Sequence, residues 1–125
     1  MFVEAKKVST ILFFSYDDLQ ENCKPDCTFH KKLLDSLSSL YLNKVIELNT
    51  RIELLSKRTI REKLLGYFNV ISSKNMGKTF QLSFSLTDLA DYLSVDRSAM
   101  MRELKLLKED GFIEKSGNRI RLLYK

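Results

Sequence analysis

The feature that most constrains the fold of this 125-residue chain is an uninterrupted helical pattern between residues 29 and 55. The segment contains no glycine and no proline, and its apolar residues recur every three or four positions, as on one face of an α-helix. At 1.5 Å per residue, such a helix would be about 40 Å long. The apolar stripe consists of Leu34, Leu37, Tyr41, Val45, Leu48, Ile52 and Leu55.

Little else in so short a chain could cover an apolar stripe of that length. A second copy of the same helix could, so the pattern predicts a dimer interface along the whole stripe. The spacing of three, four and four residues at its start departs from a strict heptad, which predicts only weak local supercoiling. The alternative is a helix that packs against a neighbouring domain.

The positive charge of the chain is concentrated in its second half. The net charge is +5 at pH 7, with −1 over residues 1–50, +5 over residues 51–78 and +3 over residues 94–125. Such clustering favours nucleic acid as an anionic partner. No apolar run approaches the length that spans a bilayer, and no signal-peptide core is present, so we expect a cytoplasmic protein without a membrane partner.

The segments around the long helix have their own patterns. Residues 8–14 are β-branched and aromatic, which predicts a buried strand. Residues 57–72 predict a second helix, and the alternation in residues 80–84 predicts a short half-buried strand. Positive charge at a helix N-terminus opposes the helix dipole, so an external phosphate is one explanation for the basic start of the second helix. The basic residues there are Lys57, Arg58, Arg61 and Lys63.

Two helices joined by a tight turn are predicted further along the chain. Residues 85–93 form the first, with Ser85 as its N-cap. The second, residues 97–110, has Asp96 as its N-cap and ends at Gly111. Their order and spacing predict a helix-turn-helix.

The two faces of the 97–110 helix differ in chemistry. At 100° per residue, a polar and basic face lies opposite an apolar one. Basic residues in the first helical turn oppose the dipole, so an outside anion or base edge explains them better than capping does. The polar face carries Arg97, Ser98, Met101, Arg102 and Lys105, and the apolar face carries Met100, Leu104 and Leu107.

A β-hairpin follows the second of these helices. Residues 112–115 and 119–124 flank the turn Ser116-Gly117-Asn118, which is typical of a hairpin. A hairpin at this place after a helix-turn-helix is a wing. The sequence therefore predicts a mainly α (α+β) protein, in which a long N-terminal dimerisation helix precedes a winged helix-turn-helix domain.

Several stretches resemble the Crp–Fnr family of bacterial regulators. The family's helix-turn-helix resembles the stretch LTDLADYLSVDRSAMMRELKLLKEDGFIE, and the helix before it resembles SKRTIREKLLGYF. The apolar stripe of the long helix resembles the family's dimerisation helix. VEAKKVSTILFFSYDDL is similar to the last strand of its sensor domain. The resemblance implies a sensor-domain remnant and linker at 1–28, a dimerisation helix at 29–56 and a winged helix-turn-helix domain at 57–125. The family's cyclic-nucleotide motif has no counterpart here, so no effector is assigned.

The resemblance also implies a function and the residues that carry it. The expected protein is a homodimeric, sequence-specific transcription regulator on double-stranded DNA, with RNA polymerase as a further candidate partner. By position, Arg97, Ser98 and Arg102 match the family's base-contacting residues. Met101 is a fourth candidate for a base contact, which would touch a thymine methyl group or merely fill space. Many members have Glu at the place of Ser98, so we expect a different operator. Candidate phosphate contacts are Lys57, Arg58, Ser85, Thr87, Lys105, Lys115 and Arg119.

The sequence gives little support to a metal site or to an enzyme active site. Cys23, Cys27 and His30 could supply three ligands to zinc or an iron–sulfur cluster, but their spacing contains no CxxC and ordinary thiols are the simpler interpretation. No Walker loop, GxGxxG or HExxH is present, so no enzyme and no cofactor are expected. The rival function is a winged helix that binds a protein, which should show a less basic and more aromatic recognition face.

Overall fold

The computed structural model describes residues 4–5, 7–13, 15, 17 and 27–124. The chain divides into two compact units, residues 1–44 and 45–125. The described elements confirm the predicted fold class, a long helix followed by a winged helix-turn-helix. In chain order they are α1 (Thr28–Ser56), α2 (Ile60–Lys74), β1 (Thr79–Gln81), α3 (Leu86–Leu93), α4 (Arg97–Glu109), β2 (Ile113–Ser116) and β3 (Arg119–Leu122).

The strand predicted at residues 8–14 is not formed where the first unit is described. Residues 8–13 are neither helix nor strand, and Val8 and Phe13 are 107% and 87% exposed. Phe14 lies outside the described residues. A strand needs a neighbour to accept and donate its backbone hydrogen bonds, and the described residues of this unit contain no second strand. The strand prediction was therefore wrong for residues 8–13.

The second unit contains a three-stranded antiparallel sheet in the order β1-β3-β2. β3 is central, since Ile120 pairs with Phe80 of β1 and with Lys115 of β2. The turn between β2 and β3 is two residues long, and its first residue, Gly117, has a φ of 56°. A positive φ at that position suits glycine and is typical of tight hairpins. The predicted wing is confirmed.

The core of the second unit lies between its helices and the inner face of the sheet. It has no buried polar or charged residue among those that the structure describes. The residues predicted on the apolar face of α4, Met100, Leu104 and Leu107, all point into this core. The largest fully buried side chains are Phe68, Leu64, Leu89, Leu93, Met100, Leu107, Ile113 and Ile120.

The C-terminal end of α1 is joined to this core through Leu54. Its side chain is 3% exposed, and it packs closely on α2 at Gly66. A Cβ atom at Gly66 would stand 2.9 Å from Leu54 Cδ2, so the missing side chain makes room for the leucine. Leu54 was not singled out in the sequence, because it lies outside the α1 stripe.

The turn between α3 and α4 is compact and partly left-handed. Ser94 has φ 51° and ψ 54°, and its N–H donates to the carbonyls of Ala90 and Asp91. The N–H of Val95 donates to Ala90 at 3.0 Å, which closes the end of α3. This turn fixes where α4 begins.

Candidate nucleic-acid interface

The helix α4 is fixed at its start by a side-chain cap. Asp96 has an extended backbone, and its Oδ1 accepts a 2.7 Å hydrogen bond from the N–H of Ala99. The cap satisfies one of the N–H groups that a helix start leaves without a helical partner. At the other end, Gly111 has a φ of 75°, and the N–H of Phe112 donates to Leu107. Both predicted ends of the helix are confirmed within one residue.

The two faces of α4 lie as the angular count predicts. Met100 and Leu107 are fully buried and Leu104 is 3% exposed, so they hold the helix on the core. The opposite face is open to solvent, with Met101 39% exposed and Leu106, beside Arg102 on the helix, 45% exposed. That face, hereafter the arginine face, carries exposed Arg97, Ser98, Met101, Arg102 and Lys105.

The start of α3, which precedes the arginine face by about ten residues in the sequence, has backbone N–H groups that can donate hydrogen bonds. Ser85 Oγ accepts from the N–H of Asp88 at 3.1 Å and donates its proton to Asp88 Oδ2 at 2.7 Å. The hydroxyl proton of Ser85 is therefore already used, and a phosphate contact there depends on the backbone N–H. Thr87, in the first turn, is exposed.

The basic residues of the wing gather around one surface hollow. Lys115 donates from Nζ to the carbonyl of Gly117 at 2.8 Å, and Arg119 is exposed. The same hollow is lined by Lys108 from α4 and by Arg121, which lies 3.5 Å from Glu114. Sequence analysis did not assign Lys108 and Arg121 a role. The alternation of Arg119 and Arg121 with buried Ile120 was the signal that places both arginines on the outer face.

The basic start of α2 has partners inside the chain. Arg61 Nε donates to Glu103 Oε1 and Arg61 Nη2 to Asp110 Oδ2, both at 2.6 Å. Lys63 Nζ donates to the carbonyl of Leu93 at 3.3 Å. The interpretation that an external phosphate explains this charge is therefore wrong for these two residues.

The helix α2 begins three residues later than predicted because of its cap. Thr59 Oγ1 accepts from the N–H of Glu62 at 3.1 Å, and the Glu62 carboxylate accepts from the N–H of Thr59. The hydrogen bond from the Thr59 backbone lowers the pKa of Glu62 below its usual value. Lys57 and Arg58 thus precede the helix; Lys57 Nζ lies 3.5 Å from Glu53, and the Arg58 side chain is exposed.

Comparison with known proteins assigns most of the second unit, residues 45–125 and hereafter the Crp-like unit, to a family. Residues 62–124, about half of the chain, match the sequence model of the Crp-like helix-turn-helix domain. The chain belongs to the Crp-like helix-turn-helix family. Its fold is similar to the crystal structure of a protein from Eubacterium rectale ATCC 33656 assigned to the Crp/Fnr family of transcriptional regulators, with 15% identity and a TM-score of 0.51. The match covers 79% of this chain and 44% of that one. A comparison with curated protein sequences finds no match.

The apolar stripe of α1 is largely open to solvent. Tyr41, Val45, Leu48 and Ile52 are 66%, 54%, 48% and 61% exposed, and Leu34 is 37% exposed. Leu37 and Leu55 are half-buried. The helix α1 therefore carries Leu54, which packs on α2, outside an apolar stripe that remains mostly uncovered.

A small cavity in the Crp-like unit is separate from the arginine face. It measures about 160 Å³, and its walls include Leu54, Tyr67 and Tyr92. Burial raises the pKa of Tyr67 to about 12, with a smaller coulombic contribution from Tyr92. None of the predicted DNA-contacting residues lines it.

The predicted metal-ligand set cannot be assembled from the described residues. Cys27 and His30 lie at the start of α1, both half-buried, and Cys23 lies outside the described residues. Among the residues that the structure describes, no group of three or more His, Cys, Asp and Glu could hold a metal ion. The helices of the same residues include none that is long and apolar enough to cross a membrane.

Proposed function

We propose that this chain is a sequence-specific DNA-binding transcription regulator that binds a pseudo-palindromic operator as a homodimer. The observation that carries the proposal is the arginine face of α4, which is exposed along its length and backed by buried Met100, Leu104 and Leu107. A helix anchored on one side and basic on the other is suited to the major groove. A protein with this role is not an enzyme and acts where the DNA is, in the cytoplasm.

Base recognition falls to the N-terminal half of the arginine face. Arg97 and Arg102 can each donate two hydrogen bonds to O6 and N7 of guanine. Ser98 can donate or accept a single hydrogen bond, and Met101 offers an apolar contact to a thymine methyl group. Ser98 is uncharged, which favours an operator without the cytosine contact that a carboxylate would make.

Phosphate contacts come from the residues around that helix. Lys105 is exposed, and its Nζ lies 3.7 Å from Oε1 of Glu109, which is also exposed. Because an exposed salt bridge is weak, a DNA phosphate can replace the Glu109 carboxylate as the partner of Lys105. The backbone N–H groups at the start of α3, beside Ser85 and Thr87, add a helix N-terminus that suits an anion. Lys57, Arg58, Lys115 and Arg119 complete the set.

The uncovered stripe of α1 supports the homodimer. A second copy would bury Leu34, Leu37, Tyr41, Val45, Leu48, Ile52 and Leu55 against the same residues of its partner. Two α4 helices would then enter successive major grooves, roughly 34 Å apart. RNA polymerase is a further partner of such a regulator.

A salt titration on random duplex DNA tests this function against a protein-binding role. Fluorescence anisotropy of a labelled 30-base-pair duplex would be measured at 50 and 200 mM salt with the 125-residue chain. A binder with six to ten phosphate contacts loses roughly 10³ to 10⁵ in affinity between those concentrations. Absence of binding at 50 mM salt would contradict the proposal and favour a protein partner.

A further inference from the structure

The guanidinium group of Arg61 joins the start of α2 to both ends of the second half of α4. Its Nε donates to Glu103 Oε1 and its Nη2 to Asp110 Oδ2, both at 2.6 Å. Its charge also lies 5.8 Å from the ring centre of Phe112, within the range of a cation–π contact. The three contacts come from one side chain that is 35% exposed. We call this group the Arg61 clamp.

The Arg61 clamp holds α4 at two points rather than one. Glu103 and Asp110 are seven residues apart, which is two helical turns or about 10.5 Å along the axis. A single contact would still let the helix roll about its long axis or tilt about that contact. Two contacts on the same side of the helix, made by one planar group, oppose both movements.

The roll of α4 decides what the arginine face presents to a groove. Arg102 precedes Glu103 by one residue, so their side chains leave the helix about 100° apart. Any rotation that moves Glu103 away from Arg61 therefore moves Arg102 by the same angle. A bidentate contact to guanine depends on such angles, because both hydrogen bonds must form in the plane of the base.

A second contact from the same turn of α2 restrains the other helix of the pair. Lys63 Nζ donates to the carbonyl of Leu93, the last residue of α3. A cation at that place satisfies a helix C-terminal carbonyl and matches the dipole. Neighbouring residues of α2 thus restrain both helices of the helix-turn-helix.

We propose that Arg61 is a positioning residue that sets DNA sequence specificity by fixing the roll and tilt of α4 through Glu103 and Asp110. It touches no base itself. The proposal rests on the function proposed above. It adds that specificity depends on a residue more than 30 positions before the arginine face in the sequence.

A purely electrostatic role for Arg61 makes a different prediction. Arg61 neutralises two carboxylates on the helix that would meet DNA, and its loss leaves them to repel phosphate. That effect would weaken binding to every duplex alike, because phosphate repulsion carries no sequence information. Positioning predicts instead that the preferred duplex loses more affinity than a scrambled one.

The test compares two affinities for each variant of the full chain. The first probe is the duplex recovered from a random library by selection with the wild-type protein, and the second is a scrambled duplex of equal length. The variants are Arg61→Gln, Arg61→Lys and the triple variant Arg61→Gln/Glu103→Gln/Asp110→Asn. Lys74→Gln, at the far end of α2, is the matched loss of one positive charge. Circular dichroism checks that each variant remains folded.

For all three Arg61 variants, the ratio of affinity for the selected duplex to affinity for the scrambled duplex should fall about tenfold or more. A fall of that size corresponds to the loss of roughly one bidentate base contact. Arg61→Lys keeps the positive charge but lacks the planar guanidinium group that donates to both carboxylates. Its ratio of the two affinities should therefore fall with little change in folding. The triple variant is one charge unit more positive than the wild type. Its affinity for the scrambled duplex should hold or rise while the ratio falls.

Two results would overturn the proposal. One is that Arg61→Gln and Arg61→Lys show the same ratio of affinity for the selected duplex to affinity for the scrambled duplex as Lys74→Gln. The other is a triple variant that recovers the wild-type ratio, since neutralisation would then account for the whole effect. Failure of the proposed function gives a separate result, because a wild-type protein that binds DNA without preference enriches no sequence in the selection.

Discussion

Within the Crp-like unit, the elements from α2 onward pack large apolar residues around one core, whereas α1 leaves most of its apolar stripe uncovered. Phe68 and Leu107 are fully buried in the unit, while Tyr41 and Ile52 on α1 are 66% and 61% exposed. The core and the α1 stripe contain similar residue types, and they differ in exposure because the core residues have other elements packed against them. Short helices and a sheet can pack in layers around one core, whereas none of the described elements covers the stripe of the single long helix.

This difference separates two kinds of stability. The Crp-like unit is held by contacts within one chain, so its free energy of unfolding is mainly a property of that chain. In the proposed dimer, the α1 stripe would gain its burial from a second molecule, so its contribution to stability would depend on protein concentration. Four predictions, taken from the largest expected effect to the smallest, test this division and the role of each surface.

The largest effect is expected from Leu48→Glu in the stripe. A dimer carries the change twice, and losing the burial of two leucines costs about 3–6 kcal/mol per dimer. Sedimentation equilibrium should therefore show a monomer at concentrations where the wild type is dimeric. Asn43→Glu is the control, because Asn43 leaves the helix about 140° from Leu48. Equal dissociation by both variants, or a monomeric wild type, would contradict the dimer.

The next largest effect is expected from Phe68→Ala in the core. Removing a fully buried phenylalanine leaves a cavity and costs about 3–5 kcal/mol of unfolding free energy, measured by urea denaturation. Phe84→Ala is the matched control, since Phe84 is 38% exposed and stacks on Tyr92 at 5.6 Å. The control should lose less than half as much. Equal losses would show that Phe68 is not a core residue.

The third prediction separates the two roles proposed for the basic surface. Arg97→Ala should cost about 1–3 kcal/mol on the preferred duplex and relax sequence preference at the base it contacts. Lys115→Ala should weaken all duplexes alike and reduce the slope of log affinity against log salt by about 1. Anisotropy titrations on matched and mismatched duplexes measure both. Identical behaviour of the two variants would remove the distinction between base and phosphate contacts.

The smallest effect is expected at the turn before α4. Ser94 has a left-handed backbone, which glycine adopts at less cost, so Ser94→Gly should raise the unfolding free energy by up to about 1 kcal/mol. Ser94→Ala keeps the Cβ atom and should bring no gain. Thermal unfolding of both variants at one protein concentration measures the difference. A stability loss in the glycine variant would mean that the Ser94 side chain stabilises the turn.

The elements that could be predicted from the sequence are those with local signals. Asp96 caps α4, Ser85 caps α3, and Gly111 and Gly117 take up positive φ where the pattern indicates an end or a turn. Each depends on atoms within a few residues. The T-x-x-E pattern at residues 59–62 was also a local signal, and it would have placed the start of α2 correctly.

The features that could not be predicted depend on distant partners. Arg61 is separated from Glu103 and Asp110 by 42 and 49 positions, and nothing near Arg61 in the sequence indicates that pairing. Leu54 is buried because Gly66 of α2 lies against it. Residues 8–13 have strand-forming side chains, but strand formation needs a pairing partner that sequence propensity alone does not supply.

Selection from a random duplex library with the full chain tests the central claim most directly. If the arginine faces of a dimer recognise DNA, the enriched sequences should contain two inverted half-sites with centres about 10 base pairs apart. The same selection with the Arg97→Ala/Arg102→Ala variant should enrich no such pair. Enrichment of no sequence by the wild type, or an unchanged enrichment by the variant, would contradict the assignment of DNA recognition to α4.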